Sequence, residues 1–156
     1  MRRWTMIIGA SAVTAALGGC SAAANVKAAE AEIAAFHARL DRGDAAGLYA
    51  DGARDLKAAT APARFTAFLQ GARAKLGRFK AGKTVGWNDS HHSSGHFVTI
   101  AYSATYEKAA AQETFVYRLT DGRAKLAGYH VSSDAFVIEP RSPDKRAFIV
   151  PIQPAS

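Results

Sequence analysis

From Val26 the apolar positions recur at spacings of three and four, at Val26, Ala29, Ile33, Phe36 and Leu40, while Lys27, Glu30, Glu32, Arg39 and Asp41 fall mostly elsewhere. This period predicts an amphipathic helix that Gly43 ends. Asp44 can cap a second, weaker helical stretch through about Ala59. Gly47 and Gly52 each lower its propensity by about 1 kcal/mol relative to Ala, so it is expected to be short or broken. A third helix is predicted from Pro62, which loses no hydrogen bond in a first turn, with Phe65, Phe68, Leu69, Ala72 and Leu76 on one face and Gly77 at its end. The period then becomes two. Phe79, Ala81, Val85 and Trp87 predict a strand with a slip near Gly82 and a stop at Asn88-Asp89-Ser90. His96 to Tyr106 is the clearest strand, with Val98, Ile100, Tyr102 and Tyr106 on one face. Glu113 to Thr120 and Arg123 to Val131 follow, joined by Asp121-Gly122, a strong hairpin signal because both positions tolerate positive φ. Helices followed by an antiparallel meander of about four strands predict an α+β fold in which helices cover one face of a curved sheet.

Two terminal segments fall outside this pattern. Met1 to Gly19 has cationic Arg2 and Arg3, an apolar run from about Trp4 to Leu17 that is short for a membrane span, and small residues before a cut; it reads as an export signal. Leu17-Gly18-Gly19-Cys20 resembles the bacterial lipobox. The resemblance implies diacylglycerol on the Cys20 sulfur, cleavage before Cys20, acylation of the new amine, and anchoring to a membrane of the bacterial cell envelope. Ser21 resembles the residues that send lipoproteins on to the periplasmic face of the outer membrane. Ser21 to Asn25, small and polar, reads as a tether between lipid and a single domain over 26–138. From Glu139 the chain holds four of its five prolines and is expected to be a tail, with Phe148 to Ile152 as a docked edge strand.

The order of elements and several short motifs resemble one family. Leu76-Gly77, Gly95-His96-Phe97-Val98-Thr99-Ile100 with Tyr102, Glu113-Thr114, Asp121-Gly122 and Gly128-Tyr129 are similar to the domain of unknown function 4019 family of small bacterial envelope proteins. The resemblance spans about Val26 to Val131. It implies a cystatin-like, nuclear-transport-factor-2-like α+β cone, and departs from the family at Phe65, where Trp is usual, and in the Pro-rich tail. It brings no catalytic motif with it.

Composition narrows the chemistry further. The single Cys excludes an intramolecular disulfide and a Cys-rich zinc site, so a hydrophobic core must hold the fold. No G-x-S-x-G, G-x-G-x-x-G, P-loop or H-E-x-x-H occurs, and no cofactor is expected. The net charge is +7, and Arg2 and Arg3 lie in the export signal. Arg73, Lys75, Arg78, Lys80 and Lys83 form an acid-free run that reads either as a solvated helix end or as a patch for an anionic envelope component or an acidic partner; nucleic acid is not expected. His91, His92 and His96 lie within six residues. A metal site is conceivable there, but neighbours 91 and 92 on a strand point to opposite faces, so a solvated hairpin loop is the simpler expectation. In cone folds the ligand cavity lies between helices and sheet, so Tyr102, Tyr106, Tyr129 and His130 are candidate cavity residues, with Tyr129 and His130 the first candidates for acid–base work. Glu107, Glu113 and Asp121 sit near strand ends, and Phe65, Phe68, Trp87, Phe97 and Phe115 are candidates to fill the cavity. The sequence therefore favours a non-enzymatic, lipid-anchored binding module, with a small hydrolase or isomerase using the cone cavity as the alternative. Homodimerisation through the open sheet face is a further expectation.

Overall fold

The apolar stripe of the first helix lies across a four-stranded antiparallel sheet of order β1-β2-β3-β4, formed by β1 (Phe79–His92), β2 (Gly95–Tyr106), β3 (Ala110–Thr120) and β4 (Arg123–Ser132). The computed structural model describes residues 18–137. The expected cut before Cys20 and the tail from Glu139, with its Phe148 to Ile152 strand, lie outside or at the margin of the described residues. Among the described residues four helices precede the sheet: α1 (Gly18–Asp41), α2 (Ala45–Asp51), α3 (Arg54–Ala59) and α4 (Pro62–Leu76). This is the expected α+β order. Among the described residues no helix is long and apolar enough to cross a membrane.

Ser21 to Asn25, expected to be a tether, are instead turns of α1. Three consecutive alanines, the residue of highest helix propensity, carry the helix N-terminal to its apolar stripe, and Asn25 bonds to β1. Val26, Ala29, Ile33, Phe36 and Leu40 are all buried as their spacing predicts. Gly43 leaves α1 at φ 79°, and the Asp44 carboxylate accepts the Gly47 N–H at 3.0 Å to cap α2. The weak second helix is two helices because Gly52 and Ala53 turn away extended, and the Ala53 N–H donates to the Leu126 carbonyl of β4 at 2.8 Å. A backbone bond to the sheet therefore sets the break.

β1 does not stop at Asn88-Asp89-Ser90. It continues to His92, where the two-residue turn Ser93-Ser94 leads into β2, and β3 begins at Ala110 rather than Glu113. Ladder bonds to β2, such as the Asp89↔Val98 pairing, override the turn preference of these residues. Register shifts between Phe79 and Ala81 and between Thr84 and Gly86 mark bulges that bend β1. Gly82 lies under the Tyr102 ring, where a Cβ would come 2.3 Å from a ring carbon. Asp121 and Gly122, at φ 51° and 72°, make the predicted hairpin with both residues left-handed.

A third shift, at Val116/Tyr117, leaves Ala127 unpaired between Leu126 and Gly128. It changes the phase of β4, so Leu126 faces inward before the bulge and Tyr129 and Val131 after it. Between α1, α4 and the sheet lie Ile33, Phe36, Phe65, Leu69, Val98, Ile100, Phe115 and Tyr117, all buried. Of the five aromatic residues expected to fill this space only Phe65 and Phe115 do so. Phe68 is 43% and Trp87 56% exposed, and Phe97 lies half-buried under the Arg118 guanidinium at 4.5 Å. Phe36, Phe79, Tyr102 and Tyr129 supply the missing rings.

Phe115 has no exposed surface and meets Phe36, Tyr102 and Tyr129 edge-on or tilted. Phe115→Ala is expected to lower the free energy of unfolding by about 3–5 kcal/mol in urea titrations. A loss below about 1 kcal/mol would mean that the helices do not close over this ring.

Candidate functional site

Among the described residues, chemistry-bearing side chains come together in the interior, at the β1–β2 hairpin, and in a cleft beside α1. In the interior, period two from Phe115 turns Glu113 of β3 toward the helices, where its side chain is wholly buried. One carboxylate oxygen accepts the hydroxyls of Tyr106 at 2.7 Å and Tyr129 at 2.5 Å. The other lies 2.9 Å from Nε2 of His37 on α1. With Nε2–H donating, Glu113 has three donors, and Nδ1 has no partner among the described residues. The His37 ring stacks on Phe79 at 3.9 Å and stands edge-on to Phe36 and Phe115. Burial first, then the Glu113 charge, pushes the phenols of Tyr106 and Tyr129 far above their ordinary value, so both remain donors.

A carboxylate and an imidazole in contact are the usual parts of an acid–base pair. Here both residues are only 2% exposed. A cleft of about 530 Å³ lies between α1, α2 and the β3–β4 turn, and a second of about 310 Å³ lies beside Ser132–Asp134; neither is lined by His37, Glu113, Tyr106 or Tyr129. The cluster ties four elements together and lies outside both of these clefts. Of the two first candidates for acid–base work, Tyr129 belongs to this cluster. His130 does not, because the next residue on a strand faces the other way, and it is exposed. His37 had a sequence signal: it lies four residues after Ile33 and three before Leu40, inside the apolar stripe.

At the hairpin, His91 of β1 is the direct partner of His96 of β2, and Asp89 lies two residues earlier on the same face. The two rings stack at 3.6 Å, and His96 Nε2 contacts Asp89 Oδ1. The other Asp89 oxygen accepts the Asn25 amide of α1 at 3.0 Å. Burial raises the Asp89 carboxyl, but the bonds from Asn25 and His96 together outweigh it and hold it below the ordinary carboxylate range. His92 is on the opposite face beside Phe97. The histidine cluster therefore converges as two histidines and an aspartate, and not as three histidines.

The basic run is not acid-free in space. Arg73 forms an ion pair with Asp41 at 3.2 Å without hydrogen-bond alignment, the Lys75 ammonium lies 5.9 Å from the Phe136 ring, and the Arg78 N–H donates to Glu107. Lys80 and Lys83 are exposed on β1. The 530 Å³ cleft is walled by Ala28, Ala31 and Ala35 and rimmed by Glu32, Arg39 and Arg123. Tyr117, at its base, has a buried hydroxyl without a partner among the described residues.

Residues 32–129 match the family described as proteins of unknown function, DUF4019, and the chain belongs to that family. The matched span contains His37, the hairpin cluster, Glu113 and Tyr129. No curated protein and no solved structure matches the chain.

Glu113→Ala leaves two phenol hydroxyls and an imidazole N–H without an acceptor, and is expected to destabilise the protein by about 3–5 kcal/mol in urea titrations. A change within about 0.5 kcal/mol would show that the cluster does not hold the elements together. A pH dependence follows from the pair Asp55–Arg118, whose two bonds of 2.5 and 2.7 Å, above all, keep the Asp55 carboxyl below its ordinary value of 3.8. Because the folded value is the lower one, the stabilisation is complete above pH 3.8 and is lost as pH falls through the folded value. Acid titrations of wild type and Asp55→Asn should therefore differ at neutral pH and converge at the acid end; a constant difference would exclude the pair as its source.

Proposed function

We propose that the protein is a non-enzymatic binding module of the bacterial cell envelope, held through lipid on Cys20 at the periplasmic face of the outer membrane. The observation that carries the non-enzymatic part is the sealed interior. The carboxylate and imidazole suited to acid–base work are buried under Phe36, Phe79 and Phe115, while the larger cleft lies elsewhere. That cleft has an apolar alanine wall and a charged rim, which suits a ligand or partner segment with a narrow apolar part and polar ends.

The anchoring part rests on Leu17-Gly18-Gly19-Cys20 after an apolar run. Two or three acyl chains, at about 0.8 kcal/mol per buried CH₂, hold a protein on a bilayer far more firmly than one. Because helix continues back through Ser21 to Gly18, a chain beginning at Cys20 carries its lipid at the start of α1, with no flexible spacer. A second reading, a hydrolase or isomerase, is favoured by the His37–Glu113 contact alone, and it requires the aromatic lid to open.

Intact-mass spectrometry of membrane fractions tests the anchor. The expected species is a chain starting at Cys20 plus lipid, absent from Cys20→Ala, which should appear in the soluble fraction. An unmodified wild-type chain in the soluble fraction would overturn the proposal.

A further inference from the structure

We propose that Asp89, His91 and His96 form a binding site for one first-row divalent transition metal of the zinc type, at the β1–β2 hairpin. The register builds it. His91 and His96 are direct cross-strand partners, Asp89 is two residues away on the same face, and one ligand atom from each lies within 4.8 Å of the others. An ion bound at about 2.0–2.2 Å by nitrogen and oxygen ligands places tetrahedral neighbours about 3.4 Å apart, so rotation of the two histidine side chains out of their stack closes this set on a metal.

Two imidazoles and one carboxylate favour zinc and its neighbours over calcium or magnesium, which require more oxygen ligands. The carboxylate is already oriented, because Asn25 holds the oxygen that His96 does not contact. The site is also open on one side: His91 is exposed, while Asp89 and His96 are half-buried, which leaves room for water or a partner group as fourth ligand. Binding would replace the His96–Asp89 contact by metal bonds and, through Asn25, fasten the start of α1 to the hairpin. The inference does not depend on the lipid anchor or on the binding role.

The test titrates zinc chloride into the full-length chain, as isolated, by calorimetry. One equivalent is expected to bind. His96→Ala and Asp89→Asn should each weaken binding at least tenfold, Asn25→Ala should weaken it less, and His92→Ala should leave it unchanged. Binding unaffected by His96→Ala and Asp89→Asn, or lost equally in His92→Ala, would overturn the site, as would no binding by wild type. Should a variant fail to fold, cobalt(II) added to the wild type gives a separate readout in histidine ring NMR. Paramagnetic shifts on His91 and His96 support the site; shifts largest at His92 or His130 overturn it.

Discussion

A carboxylate placed among aromatic rings is the constraint on which the arrangement of elements depends. Glu113 cannot be buried without donors, and no single neighbouring element can supply enough of them. Tyr106 comes from β2, Tyr129 from β4 and His37 from α1, so satisfying one side chain fixes where the long helix lies on the sheet and in what rotation. The β4 bulge belongs to the same solution. Leu126 faces the core before it, and without the bulge that takes Ala127 out of register the regular alternation from Leu126 would turn Tyr129 outward with His130 inward. Apolar packing supplies most of the driving force, but it is tolerant of sliding. The polar cluster is directional and selects one position among those that packing alone would allow.

The periodic part of this was legible in the sequence. The stripe of α1, the Pro62 start of α4, the Asp121-Gly122 hairpin and the meander follow from spacing and turn chemistry, and the structure reproduces them. What was not legible is polar. Glu113 looks like a residue near a strand end until β3 is seen to start at Ala110, because long-range pairing with β2 extends a strand beyond its local signals. His37 sits in an apolar stripe but is read as a polar interruption unless its partner, 76 residues away, is known. His130 has the opposite error: it is a reactive side chain beside Tyr129, and the bulge that turns Tyr129 inward turns it to the far face.

The same limit applies to charge. Along the chain the run from Arg73 to Lys83 contains no acid, yet Asp41 from the end of α1 and Glu107 from the β2–β3 turn both reach it. Its field is therefore weaker than the linear count suggests, although among the described residues only Arg73 of the run is in an ion pair, and Lys80 and Lys83 stand exposed on β1. These lie on an edge strand, where lysines also discourage pairing with another sheet. Their placement is explained without a partner, which leaves the cleft beside α1 as the better surface for one.

The interior and the hairpin use the same two side-chain types to opposite effect. At Glu113 the imidazole stacks on Phe79 and stands edge-on to Phe36 and Phe115, each carboxylate oxygen is occupied, and both residues are buried; the pair is held in one arrangement and contributes stability. At Asp89 the partners are just as close, but the histidines sit at the end of a hairpin with one side open to solvent, and only one carboxylate oxygen is fixed by the fold. A contact that can be exchanged for a metal bond must be both reachable and replaceable, and only the hairpin pair is. Access, set by whether aromatic rings or water cover the imidazole, decides which histidine–carboxylate contact in this fold is a strut and which can serve as a site.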